Sequence, residues 1–167
     1  MNLTSLASIP QRVTTDALGP DALDFWLGEW DVSWGEAGLG TNRLSREVGD
    51  RVIVERFEGH GPKLGDFYGT SISVREDDGS WHQAWADSSG GYIDMVGVEV
   101  DGRISFQVTA EEEGETVTRR MVWLDVTPDS MRWEWQETRD GGQSWKILWP
   151  IEYRRRVRAT EAPLTPR

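Results

Sequence analysis

The sequence predicts an all-β fold, a closed up-and-down antiparallel β-barrel of about ten strands behind a short N-terminal helix. Three observations predict it. From Trp30 to about Val157, short segments with period-two alternation or β-branched enrichment follow one another. Turn residues with recognisable chemistry separate them, and neither a helical heptad nor an internal repeat interrupts the series. Ten hairpin-linked strands left as an open meander would expose two long edges, and closure removes both. A β-sandwich is the alternative arrangement of the same strands.

The elements follow in order. Residues 1–19 carry Pro10, several Ser and Thr and no sustained period, so they read as an arm. Asp21 follows Pro20, and Leu23, Trp26 and Leu27 fall on one helical face before Gly28 stops it. Trp30, Val32 and Trp34 then alternate with Asp31 and Ser33 as the first strand. Further strands are expected near 41–48, 51–58, 66–76, 80–87, 91–100, 103–110, 115–126, 130–138 and 144–157. Asp101-Gly102 is a two-residue hairpin signal. Asp77-Asp78-Gly79, Ser89-Gly90-Gly91, Glu113-Gly114 and Asp140-Gly141-Gly142 supply Gly where positive φ is required, and Pro128-Asp129 opens another turn. The run Glu111-Glu112-Glu113 reads as a solvated loop tip. The barrel domain spans 20–158, and 159–167 reads as a disordered tail.

Composition bounds the chemistry. A chain of 167 residues suits one domain. It has no Cys, which excludes disulfides, thiolate metal sites and a Cys nucleophile, and only His60 and His82, which excludes a multi-histidine metal site. A carboxylate-rich Mg²⁺ or Ca²⁺ site stays open, but no calcium-loop spacing is present. The formal net charge of −11 argues against nucleic acid and anionic membranes as partners. No run of about 18 apolar residues and no signal-like opening is present, so a cytoplasmic protein is expected. The unusual feature is Trp: 10 of the 17 aromatic residues, which aromatic-lined cavities are one way to place.

Several constellations are candidates for function. In Trp81-His82-Gln83-Ala84-Trp85-Ala86-Asp87, alternation puts Trp81, Gln83, Trp85 and Asp87 on one face. Two indoles, an amide and a carboxylate make a poor dry core and a plausible ligand wall. The alternative is that Asp87 only ties down the Ser88–Gly91 turn. Trp133, Trp135 and Glu137 share one face, as do Trp145, Ile147, Trp149, Ile151 and Tyr153 on the next strand. In 115–126 the faces are Thr118, Arg120, Val122, Leu124 and Arg119, Met121, Trp123; period alone leaves open which points inward, and Glu55 between Ile53 and Phe57 is equally open. His82 reads as an exposed strand residue, and His60 as part of a Gly59-His60-Gly61-Pro62 turn. Thr138-x-Asp140-x-Gly142-x-Ser144-Trp145 fits the Asp-box hairpin; it occurs once and implies turn architecture, not glycosidase chemistry.

Gly28-Glu29-Trp30 resembles the Gly-x-Trp opening of lipocalin-like barrels, in which the Trp plugs the closed end beneath an Arg of the last strand. By strand parity with Ile151 and Tyr153, that residue here is Arg155. Together with Val-Ile-Val-Glu-Arg-Phe at 52–57, the Trp81–Asp87 strand, Arg119-Arg120-Met121-Val122-Trp123 and the closing Asp-Gly-Gly-x-Ser-Trp hairpin, the chain is similar to a bacterial family of lipocalin-like (calycin-type) barrels without an agreed activity. The resemblance covers about Asp24 to Arg156. It implies a barrel of about ten strands with an internal cavity, and it picks out Trp26, Gly28, Trp30, Glu55, Gln83, Trp85, Asp87, Arg120, Trp135 and Tyr153.

The leading expectation is a lumenal binder of a largely apolar aromatic or polyene-like molecule, with Trp81, Gln83, Trp85, Arg120, Trp133, Trp135 and Trp149 as ligand contacts. The alternative is a cofactor-free cyclase, isomerase or dehydratase, with Asp87 or Glu55 as acid or base and Tyr153 or Arg120 stabilising developing charge. No cofactor or metal is called for, although a histidine-ligated haem at His60, as in nitrobindin-like barrels, is a further alternative. A homodimer through exposed Trp residues is a third role.

Overall fold

In the computed structural model, which describes residues 18–156, ten antiparallel strands form one closed barrel. They are β1 (Gly28–Trp34), β2 (Gly38–Glu47), β3 (Val52–Gly61), β4 (Gly65–Arg75), β5 (Trp81–Asp87), β6 (Tyr92–Val100), β7 (Arg103–Glu112), β8 (Glu115–Leu124), β9 (Ser130–Thr138) and β10 (Lys146–Arg155). Each pairs with its neighbour in sequence, and β10 returns to β1. The expected closure is therefore observed and the sandwich is not. The arm falls mostly, and the tail entirely, outside the described residues.

One end of the barrel is plugged. Leu23, Trp26 and Trp30 are fully buried there among Trp81, Ile104, Phe106, Trp123 and Met131. Each buried indole removes roughly 200 Å² from water, an upper-bound gain of about 5 kcal/mol. Trp26 meets Trp123 edge-on at 4.8 Å, and the Trp30 Nε1–H donates to the Trp26 carbonyl at 2.8 Å. The expected N-terminal helix is only a 3-10 turn at Asp24–Trp26. The stretch between Pro20 and Gly28 holds barely two turns of α-helix, below the length that repays nucleation. What holds it is tertiary: Arg46 pairs with Asp24, and the Trp81 Nε1–H donates to the Leu18 carbonyl at 3.1 Å.

Arg155 locks this end, as its strand parity predicts. Its guanidinium carbon lies 4.0 Å from the Trp30 ring centroid. Its Nε donates to the Pro128 carbonyl at 2.6 Å, and Nη1 and Nη2 donate to the carbonyls of Leu27 at 2.8 Å and Phe25 at 3.4 Å. Gly28 has φ +113°, and a Cβ there would lie 2.6 Å from Arg155 Nη1, so both its backbone and its missing side chain are needed.

Two departures from simple alternation shape the other end. β3 runs on through His60 to Gly61, where the sequence suggests a turn. Gly59 and Gly61 lie in the strand because the Trp34 ring lies against them: a Cβ on Gly59 would come within 2.6 Å of that ring. On β10, Ile147 pairs with Gln136 but Trp149 pairs with Trp135, so Leu148 is an extra residue, a β-bulge. The bulge reverses parity. Trp149, Ile151 and Tyr153 face inward as expected, whereas Trp145 and Ile147 do not share their face. Trp145 packs outside the wall under the Arg120 guanidinium, 3.6 Å from its ring. The hairpin before it has the Asp-box hydrogen bonds: Thr138 Oγ1 and Ser144 Oγ donate to Asp140 at 2.7 and 2.6 Å, and the Gly142 N–H donates to Thr138 Oγ1 at 3.0 Å.

Arg155→Lys keeps the charge but cannot reach three carbonyls at once. It is expected to cost about 2 to 3 kcal/mol, read as a lower urea midpoint at unchanged slope.

Candidate functional site

Between the plugged end and the open rim lies a cavity of about 180 Å³. One pairing row crosses five strands, Leu44, Glu55, Ser71, Trp85 and Ile93, and of these Glu55, Trp85 and Ile93 line the cavity. Opposite, Met121, Trp135 and Trp149 form one row and Trp123, Trp133 and Ile151 another. Phe57, Phe67, Trp85, Trp133, Trp135 and Trp149 line the space, with Ile93, Met95, Met121 and Ile151 between them. The rings meet mostly edge to face, for example Trp133 and Trp149 at 6.0 Å and 90°.

The cavity stays open partly because a side chain is missing beneath Trp85. A Cβ on Gly69, its neighbour on β4, would collide with that ring, so the indole lies back against the wall. Phe67 stacks beside it at 24°.

Among the described lining residues the polar ones are Glu55, Asp87 and Tyr153. Glu55 is 4% exposed. Its Oε1 accepts from Asn42 Nδ2 at 2.7 Å and its Oε2 from Ser71 Oγ at 2.6 Å, while Asn42 Nδ2 also donates to the Tyr153 hydroxyl at 3.0 Å. Burial pushes the Glu55 carboxyl up to about 7, against the pull of the Ser71 and Asn42 hydrogen bonds. Burial and then the nearby Glu55 charge raise the Tyr153 hydroxyl well above the usual phenol range, so it stays a neutral donor.

Asp87 sits differently. Its Oδ1 accepts from Ser89 N, Ser89 Oγ and Gly91 N, and its Oδ2 from Trp85 Nε1 at 2.9 Å. Burial opposes its ionisation, but the Ser89, Trp85 and Gly91 hydrogen bonds outweigh that and hold it below the usual carboxylate range. It clamps the β5–β6 turn and fixes the Trp85 ring.

The sequence candidates therefore divide. Glu55, Tyr153, Trp85, Trp133, Trp135 and Trp149 meet at the cavity, with Asp87 at its rim. Trp81 and Gln83 face inward but lie nearer the plugged end, where Gln83 Nε2 donates to Ser73 Oγ at 2.8 Å. Arg120 is a correction: β8 turns Met121 and Trp123 inward, so Arg120 faces out, with its Nε donating to Gln136 Oε1 at 2.9 Å. His60 is also outside, exposed and 2.7 Å from Asp66 Oδ1, so it offers no lumenal ligand for haem. His82 is exposed beside Glu76, as expected. Asn42 and Ser71 were not among the candidates. Asn is depleted from strand interiors, so Asn42 two residues before Leu44 was the available signal.

Glu55 carries a pH signature. Its folded value lies above its ordinary value of 4.5, so between the two the native state holds a proton that the unfolded chain releases. Its contribution is thus intact below 4.5 and lost as pH rises through 7. Glu55→Gln is expected to gain on the wild type by about 3 kcal/mol between pH 4.5 and 8, read from paired urea unfolding curves. Compared with known proteins, the chain matches no family model and no curated sequence.

Proposed function

We propose that this protein binds a small, largely apolar aromatic molecule in the lumen of its barrel, consistent with the lipocalin-like resemblance of its sequence. The observation that carries the reading is the cavity of about 180 Å³ walled by Trp85, Trp133, Trp135 and Trp149 with Glu55 and Tyr153 set into it. A packed barrel interior would hold few voids larger than a water molecule, and an apolar cavity of about 150 Å³ is enough for benzene. The volume suits one or two rings better than an extended polyene.

A second reading rests on Glu55. A buried carboxyl poised near neutrality beside a neutral Tyr153 hydroxyl is suited to proton transfer on a bound substrate. In that case Glu55 rather than Asp87 is the acid or base of a cofactor-free isomerase, cyclase or dehydratase, and Glu55→Gln abolishes turnover while binding persists.

The binding reading is tested by titrating intrinsic Trp emission with benzene, indole and naphthalene derivatives and with a long polyene. Saturable one-to-one quenching by the one- and two-ring compounds is expected, with the polyene silent. Met121→Trp, which fills the lumen, should weaken that quenching at least tenfold. Absence of saturable quenching by every compound overturns the assignment.

A further inference from the structure

The lumen carries two carboxylates, Glu55 and Asp87, and, among the described residues, no basic side chain to balance them. Among the described lining residues there is no Lys, Arg or His, and Glu55 enters no ion pair. A carboxylate has about four lone-pair sites. Asp87 accepts four hydrogen bonds, three on Oδ1 from Ser89 N, Ser89 Oγ and Gly91 N and one on Oδ2 from Trp85 Nε1. Glu55 spends two, on Asn42 and Ser71, and so keeps one free site on each oxygen. Trp85, Trp133, Trp135 and Trp149 line the same cavity, and indole rings attract cations.

We propose, resting on the lumenal reading above, that the ligand is a small organic cation: a one- or two-ring or compact apolar body bearing a protonated or quaternary amine, with Glu55 as counter-ion. Charge, hydrogen bonding and ring electrostatics agree on this. A buried carboxylate without a partner is costly, and an ammonium group supplies the missing charge. A protonated amine also has the donors that the two free Glu55 sites lack. An anion meets Glu55, Asp87 and a protein of formal net charge −11. A neutral ligand leaves the four indole faces with no charge to attract.

The groups facing Glu55 are Asn42 from β2, Ser71 from β4 and Tyr153 from β10. Asp87 at the rim is the other charged lining residue, and its hydrogen bonds keep it ionised. A pH dependence of binding between 5 and 8 therefore reports on Glu55.

The test uses matched probes in calorimetric titrations at pH 8: phenethylamine, its neutral isostere propylbenzene and the anion 3-phenylpropionate. Phenethylamine should bind at least tenfold more tightly than propylbenzene, 3-phenylpropionate should not bind, and Glu55→Gln should erase the preference. A wild-type series with phenyltrimethylammonium, whose charge is fixed, needs no variant. Its affinity should rise from pH 5 to 8 as Glu55 ionises near 7. Equal or tighter binding of propylbenzene overturns the cation proposal and leaves the lumenal reading standing. So does a preference that survives Glu55→Gln, or a flat phenyltrimethylammonium series. No saturable binding by any probe overturns both.

Discussion

Everything in this barrel depends on the contact that closes it. The last strand meets the first with Trp30 opposite Arg155, and the guanidinium then covers the indole and reaches three carbonyls beyond the sheet. Nine hairpins link the ten strands, so this is the one seam, every other neighbour being joined to the next by a short turn. The cation–π contact contributes about 1 kcal/mol by itself. Its larger effect is geometric, because the same side chain ties the entry turn, the β8–β9 connection and β10 into one unit.

With one end sealed, the lumen becomes a graded environment. Toward the plug, aromatic rings and sulfur-bearing side chains fill the space, and Gln83 donates to Ser73 while its own Oε1 is buried without a partner. Toward the rim, ion pairs among Glu112, Arg119, Glu137 and Arg139 tie β7, β8 and β9 together. Glu55 lies between these zones, far enough inside to lose water and not so deep that packing closes over it. A carboxyl in that position has a protonation state that depends on whatever shares the cavity with it.

Strand order, closure and the Arg155–Trp30 pair were legible because they rest on parity and turn chemistry, which are local. Four of the indoles at the cavity were legible for the same reason. Three features were not. Arg120 and Arg119 occupy opposite faces of β8, and an aromatic or aliphatic residue stands at both parities nearby, so alternation could not choose between them. His60 was flanked by glycines whose role is to receive the Trp34 ring, and glycine does not announce which of its two uses applies. Asn42 and Ser71 act only through Glu55, a partner distant in sequence, which no window along the chain can show.

The bulge at Leu148 sets the two sides of the hairpin against each other. Upstream of it Trp145 belongs to the outer surface, and downstream Trp149 belongs to the lumen. One backbone residue therefore acts as a parity switch between an external cation–π stack and an internal wall. The Asp-box turn, anchored a few residues earlier by Asp140, fixes the phase from which that switch counts. Losing or gaining a single residue between Ser144 and Trp149 would exchange inside for outside, so the length of this segment is as much a part of the cavity as the rings that line it.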